Sequence, residues 1–293
     1  MDGTPIRTIE PPAAEQGQLA RIADYYDSAT TDYRYWHPGL HMHFGCWRWP
    51  LSPFDRAGMV EQLSTDVLAR LAPRRGGTVL DLGCGVGSTA RQLASLDPDV
   101  RVIGLSLSPQ QVELGNRLSV TMQLRERVEL RVGDYRATAL AHGSAAGAYA
   151  IESACYDPEH GAGLIREAAR TLEPGARLVI ADAFRRRSQL PRLARALHRK
   201  MSEAWSLPGI HDIDRFVACL VEHGFDVEVE DISWRVGPCV LQIPFVSLGF
   251  RLREGFRLDP ARSANARAPL WCLLSVLLSP RCFGYYIITA TRR

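Results

Sequence analysis

Short apolar runs alternate with helix-period segments along residues 78–183. The runs are Thr78 to Leu82, Arg101 to Leu105, Val128 to Val132, Ala148 to Ile151 and Arg177 to Ala183. Between them, Ala90, Leu93 and Ala94 open one helical pattern, Pro109 toward Thr121 makes a second, and Leu164, Ile165, Ala168, Ala169 and Leu172 mark a third, entered from Asp157-Pro158 and closed by Pro174-Gly175. Near-continuous apolar runs of four to seven residues suit strands buried on both faces, and amphipathic helices between them cover those faces. This alternation predicts parallel strands joined by right-handed crossovers, an α/β doubly wound core.

The flanks read differently. Residues 1–17 are polar and proline-bearing, which predicts a loose tail, and 18–36 begin as a helix with Leu19, Ile22 and Tyr26 on one side. The next stretch, HPGLHMHFGCWRWP at 37–50, crowds aromatics and histidines between breaks at Pro38, Gly39, Gly45 and Pro50, so it cannot be a regular helix and should fold against the body. Val60, Leu63, Val67, Leu68 and Leu71 predict a helix over 56–72. Beyond the core, 184–209 is arginine-rich and helical, a helix from Asp212 to Glu222 leads to a strand from Val227 to Trp234, and the last strand is Phe283 to Ala290. Residues 235–282 are expected to be mostly helical, packed as a cap over the sheet edge.

Composition narrows the class. A chain of 293 residues can bury one large domain with added segments. A net charge of +3 gives no reason to invoke nucleic acid, and neither a basic appended domain nor an N-P-P-Y-type motif is present. Seven cysteines, an odd number without a C-x-x-C pair, argue against a disulfide framework and a structural zinc site, and for a reducing, cytoplasmic setting. The N-terminus has no apolar h-region, and the apolar stretch Ala268 to Pro280 is too short to span a bilayer.

The chemistry centres on TVLDLGCGVGSTARQLA, residues 78–94. A strand running through a glycine turn into a helix offers backbone N–H groups and a helix N-terminus to a ligand at the sheet edge. The acid before the first glycine suits an amine-bearing or cationic ligand better than a diphosphate. At these residues the chain resembles the class I S-adenosylmethionine (SAM) dependent methyltransferases. The resemblance implies a doubly wound, mostly parallel seven-stranded Rossmann-like sheet, SAM as cofactor, and no metal. It implies that Asp81, Gly83, Cys84, Gly85 and Gly87 surround the cofactor, with Cys84 a small filler rather than a thiol catalyst; a glycine turn needed only for packing is the alternative. Residues 56–293 then form the cofactor-binding domain with cap segments 184–209 and 235–282, and 18–55 an N-terminal lid.

After the second strand, Gly104-Leu105-Ser106-Leu107-Ser108-Pro109-Gln110-Gln111 resembles the G-[small]-T-L-S-x-x-Q variant of tocopherol and cyclopropane-fatty-acid methyltransferases. Ser106 and Gln111 then replace the usual ribose-binding carboxylate, although Ser108 as N-cap and Gln111 as capping-box partner explain the same residues. Asp134 matches the position that accepts from the adenine amino group, with Tyr135 against the base or merely filling the core. The fourth strand ends in Glu152-Ser153-Ala154-Cys155-Tyr156, an E-S-x-x-Y form similar to geranyl diphosphate C-methyltransferases, and His41-Met42-His43-Phe44-Gly45 resembles the upstream segment that folds over the cofactor.

Glu152, His41, His43 and Tyr156 are therefore the candidate catalytic groups, as proton acceptors or cation stabilisers, each with a purely structural alternative. Tyr25, Tyr26, Tyr33, Trp36 and Trp47 are candidate walls of the substrate pocket. Arg185, Arg186, Arg187, Arg192, Arg195, Arg199 and Lys200 could hold an anionic group, meet an anionic membrane surface, or face solvent; Arg251, Arg253 and Arg257 leave peripheral membrane contact open, and homo-oligomerisation is open too. The expected function is methyl transfer to a small, largely apolar metabolite of secondary metabolism, isoprenoid, polyketide or lipid-like. Carbon is favoured as acceptor atom, with oxygen or nitrogen as the alternative, and a methyltransferase-fold cyclase as a different class.

Overall fold

A computed structural model describes residues 13–254 and 260–293. Seven strands form one sheet: β1 Thr78–Leu82, β2 Arg101–Ser106, β3 Val128–Val132, β4 Ala145–Ile151, β5 Leu172–Arg185, β6 Phe225–Asp231 and β7 Phe283–Arg292, in the order β3-β2-β1-β4-β5-β7-β6. All neighbours pair in parallel except β7, which runs antiparallel to β5 and β6. The order reverses between β1 and β4, so the carboxyl ends of these two strands open a crevice at the switch point.

Successive residues of one strand feed opposite faces. Val79 packs with helices α2 (Arg56–Leu71), α3 (Ser88–Leu96) and α8 (Ser233–Glu254), whereas Leu80 and Leu82 pack with α5 (Ala162–Thr171) and α7 (Ile213–Glu222). The remaining helices are α1 (Ala13–Ala29), α4 (Pro109–Thr121), α6 (Arg192–Ala204) and α9 (Pro260–Leu278). Among the described residues no helix is long and apolar enough to cross a membrane.

Four boundaries depart from expectation. Helix α1 starts at Ala13, inside the expected tail, whose residues 1–12 lie outside the described range. Helix α5 starts at Ala162 rather than at Pro158, because Asp157 is fully buried and its carboxylate accepts from the N–H groups of Glu159 (2.9 Å) and Leu164 (2.8 Å), folding the chain into a turn first. Pro174-Gly175 lies within β5 instead of before it, where a register irregularity on β4 between Ala145 and Gly147 absorbs the extra length. Strand β6 stops at Asp231, whose carboxylate accepts from Ser233 N–H at 3.0 Å and turns the chain into α8, so Trp234 is helical.

Candidate active site

Two cavities meet at the switch point. The smaller, about 100 Å³, is lined by Asp81, Gly83, Cys84, Gly85, Ser106, Gln111 and Tyr135 at the ends of β1, β2 and β3. The larger, about 450 Å³, lies between the sheet edge and the N-terminal and cap helices, with walls mainly of apolar side chains such as Phe44, Trp205, Val240, Ile243, Phe250 and Phe283. Five side chains line both: Tyr26, Met42, His43, Glu152 and Tyr156.

The glycine turn gives the small cavity its shape. Gly83, Gly85 and Gly87 all take positive φ. A Cβ on Gly85 would meet only Met42 Sδ, at 3.6 Å, so this backbone faces open space, whereas a Cβ on Gly87 would press on Leu130 at 2.8 Å. Gly87 does not line the cavity, and its place is set by the packing of the α3 start against β3. Asp81 is buried, accepts from Tyr149 Oη at 2.8 Å, and is pushed up to about 7 by burial against the pull of Arg91. The Cys84 thiol is raised well above its ordinary value by burial and stays protonated.

Ser108 caps α4 as expected, accepting from Gln111 N–H at 3.1 Å, but the reciprocal half of the capping box does not form. Gln111 turns inward: its Oε1 accepts from Ser106 Oγ (2.7 Å), and its Nε2 donates to Thr30 Oγ1 (3.1 Å) and Met42 Sδ (3.2 Å). One amide thus ties β2 to the N-terminal segment and to the 37–50 stretch. Gln111→Leu is expected to loosen that segment, seen as faster proteolysis at residues 13–45, because the buried Ser106 and Thr30 hydroxyls each lose a partner at about 1–3 kcal/mol.

Glu152 carries the junction. Its Oε1 accepts from Phe44 N–H (2.7 Å) and Tyr285 Oη (2.8 Å), bringing residues 108 and 133 positions away onto one oxygen, and among the described residues no donor holds Oε2. Its φ is +49°, a left-handed conformation uncommon for glutamate, and burial together with nearby Asp182 pushes its carboxyl up to about 8. A left-handed backbone and a carboxyl displaced toward neutrality make Glu152 a candidate functional position.

The other candidate groups are hydrogen-bonded within the site. His43 Nδ1 lies 2.7 Å from the Phe44 carbonyl and so carries the proton; its Nε2 faces Ser64 Oγ and His41 Nδ1, both at 3.1 Å. Burial lowers His41 to about 2 and His43 to about 4, so both rings are neutral and weakly basic. Tyr26 Oη donates to Tyr156 Oη (2.8 Å), which donates on to the Trp205 carbonyl (3.1 Å), and burial raises both phenols well above their ordinary value. Tyr156 is a hydrogen-bond donor here and a poor proton acceptor.

Tyr26, Tyr33 and Trp36 line the large cavity. Three other sequence candidates face elsewhere. Tyr25 turns its hydroxyl to Asn265 (2.8 Å), Trp47 donates to the Leu51 carbonyl (2.8 Å) and packs on Trp234, and neither lines a cavity. Asp134 does not reach the small cavity because Arg136 takes its carboxylate in a fork, at 3.0 and 2.6 Å; its neighbour Tyr135 does, its hydroxyl on the Ser153 carbonyl at 3.0 Å. Of the arginine cluster only Arg186 lines the large cavity, and it is paired with Asp231 at 2.6 Å. Sequence reasoning missed Met42, Asp182 and Tyr285. A strand-end acid like Asp182 could have been flagged; Met42 and Tyr285 carry no local signal.

A family model described as a methyltransferase domain matches residues 79–175. Methyltransferase GfsG of Streptomyces halstedii is 31% identical over 290 residues, covering 95% of this chain and 98% of its own. O-methyltransferase cnsE of Penicillium expansum is 30% identical over 295 residues, covering 97% of this chain and 95% of its own. The solved structure of geranyl diphosphate C-methyltransferase from Streptomyces coelicolor A3(2), with Mg2+, geranyl diphosphate and S-adenosyl-L-homocysteine, matches with a TM-score of 0.73 at 19% identity, over 96% of this chain and all of that one, a likeness of fold.

Proposed function

The chain belongs to the class I SAM-dependent methyltransferases, and from that premise we propose that it methylates a hydroxyl group of a neutral, largely apolar natural product, with Glu152 as the general base. The observation that carries the proposal is Glu152 at the meeting of the two cavities, one oxygen clamped by Phe44 and Tyr285, the other without a donor among the described residues.

The small cavity fits the cofactor on its own chemistry. The open backbone at Gly85, the buried Asp81 carboxylate, the Ser106–Gln111 pair and the Tyr135 ring together offer an acceptor for an ammonium group, hydroxyl-binding groups and an aromatic face. Bound SAM supplies an electrophilic methyl group on a sulfonium, which needs alignment with the acceptor atom and no metal. Glu152 takes the hydroxyl proton as the new carbon–oxygen bond forms, and its carboxyl, near 8, is well matched to that proton at neutral to mildly alkaline pH. Tyr26 and Tyr156 orient the acceptor, and the neutral His41–His43 pair holds the 37–50 stretch in place. We read 18–55 as the lid, with cap segments 184–209 and 235–282 closing the larger cavity.

The cavity walls bear on the acceptor class. Arg186, the one Arg or Lys among the described residues lining the large cavity, is already paired, so a diphosphate there would have no unpaired cation to meet. Similarity to a protein named an O-methyltransferase along nearly the whole chain favours oxygen in the same direction. Carbon methylation remains the second reading, favoured by the ring faces of Tyr33, Trp36 and Phe44 in that cavity, which suit a developing carbocation.

The test is mass spectrometry after incubation with SAM and three acceptor sets: neutral polyketide or macrolide alcohols, phenols, and prenyl diphosphates. The expected product is a methyl ether from a neutral alcohol or phenol with stoichiometric S-adenosylhomocysteine. Methylation confined to prenyl diphosphates, or fragment ions that place the new methyl on carbon, would overturn the hydroxyl reading.

A further inference from the structure

A third cavity, of about 440 Å³, is lined by residues of 157–160, 185–198 and 208–211. It is separated from the large cavity by the stretch 205–210, whose Ile210 faces both. Part of the arginine cluster points here.

The chemistry of its wall is one-sided. Among the described residues the Arg185 guanidinium donates only to the backbone carbonyls of Ile210 and Ser188, each at 2.9 Å, and no carboxylate pairs with Arg185 or Arg195. The single acid in the wall, Asp157, is buried and already accepts two backbone N–H groups. Nearby Glu159 is taken by Arg166 at 2.9 Å. His198 Nε2 accepts from Ile210 N–H at 3.2 Å, so in its neutral form the proton sits on Nδ1, a further donor. The 13-residue helix α6 starts beside this wall without a side-chain cap, after Pro191, leaving first-turn N–H groups and the positive end of the helix dipole unanswered.

We infer that this cavity is a second binding site, for a phosphate-type oxyanion, held by Arg185 and Arg195 at the start of α6. Two guanidinium groups without carboxylate partners, the His198 donor and an uncapped helix start are complementary to a dianion. Because the site shares Ile210 with the larger cavity, its occupant braces the 205–210 stretch that walls the acceptor. The site is distinct from the junction at Glu152, and its ligand binds without methyl transfer.

Calorimetric titration of the full chain with inorganic phosphate, and separately with glycerol 3-phosphate, at constant ionic strength against a chloride control, tests this directly. Saturable one-to-one binding is expected, weakened about tenfold or more in Arg195→Glu and kept within about threefold in Arg195→Lys, since charge at an exposed position carries the interaction. Tighter binding of the ester would mark the natural ligand as a phosphorylated molecule, and tighter binding of inorganic phosphate as the free ion. Absence of saturable heat with both probes, or equal affinity in Arg195→Glu and the unsubstituted chain, overturns the site.

Discussion

Glu152→Gln is expected to lower kcat for methyl transfer by about 10²- to 10⁴-fold, the usual worth of a positioned general base. Glutamine keeps the acceptor oxygen for Phe44 N–H and Tyr285 Oη, so the junction stays assembled and cofactor affinity should be nearly unchanged. The pH profile separates catalysis from packing. The folded carboxyl sits near 8, so it is mostly protonated at pH 7 and becomes a base as pH rises. The acceptor kcat/KM of the unsubstituted enzyme should therefore climb with pH to a plateau, with its limb at or below about 8, because a cationic cofactor favours the carboxylate. A flat profile between pH 6 and 9, or a Glu152→Gln enzyme of ordinary activity, would remove Glu152 from the reaction.

The second large effect is expected at Asp81, and it runs in opposite directions for binding and stability. Asp81→Asn should weaken SAM binding by about 10- to 150-fold, the equivalent of one charged hydrogen bond of about 1.5–3 kcal/mol. The same substitution should raise the melting temperature of the cofactor-free protein at pH 8. Asp81 and Glu152 have folded values near 7 and 8, above those of an unfolded chain. The stability they contribute is fully present below the unfolded carboxyl range near 4 and is lost as pH rises through 7 to 8. His41 and His43, lowered to about 2 and 4, act the other way, and their contribution is lost as pH falls below about 6.5. Above that pH only the carboxyl loss remains, so the cofactor-free melting temperature should fall from pH 6.5 to 8. Asparagine at 81 should flatten part of that fall, worth about 1 kcal/mol, while keeping a hydrogen bond with Tyr149. Calorimetric SAM titration and thermal melts at pH 6.5 and 8 read both effects; lower stability at pH 8 would show that burial of the charge is fully compensated.

What could be read from the sequence lay within about ten residues of itself. The apolar runs located the core strands, and β3 and α4 fall at the expected residues, because strand burial and capping are local. The D-L-G-C-G-V-G turn disclosed the cofactor class for the same reason: one strand end and one helix start hold all its groups. Distant partners are what no local pattern shows. Gln111 lines the small cavity in keeping with its motif position, but its amide also reaches Thr30 and Met42, 81 and 69 residues away. Asp134 is held by Arg136 only two residues on, a short-range pair within reach of sequence reasoning.

The sequence by itself thus determined the doubly wound core and the glycine-turn site, since periodicity and turn chemistry are properties of consecutive residues. Only the tertiary structure decided which acid stands at the junction and what holds it. Glu152 meets Tyr285 because β7 runs antiparallel beside β5, opposing Ala183 to Tyr285, and it meets Phe44 because the 37–50 stretch packs over the ends of the strands. Residues far apart in the chain share one oxygen through sheet register and burial, and no local pattern encodes a register between strands a hundred residues apart.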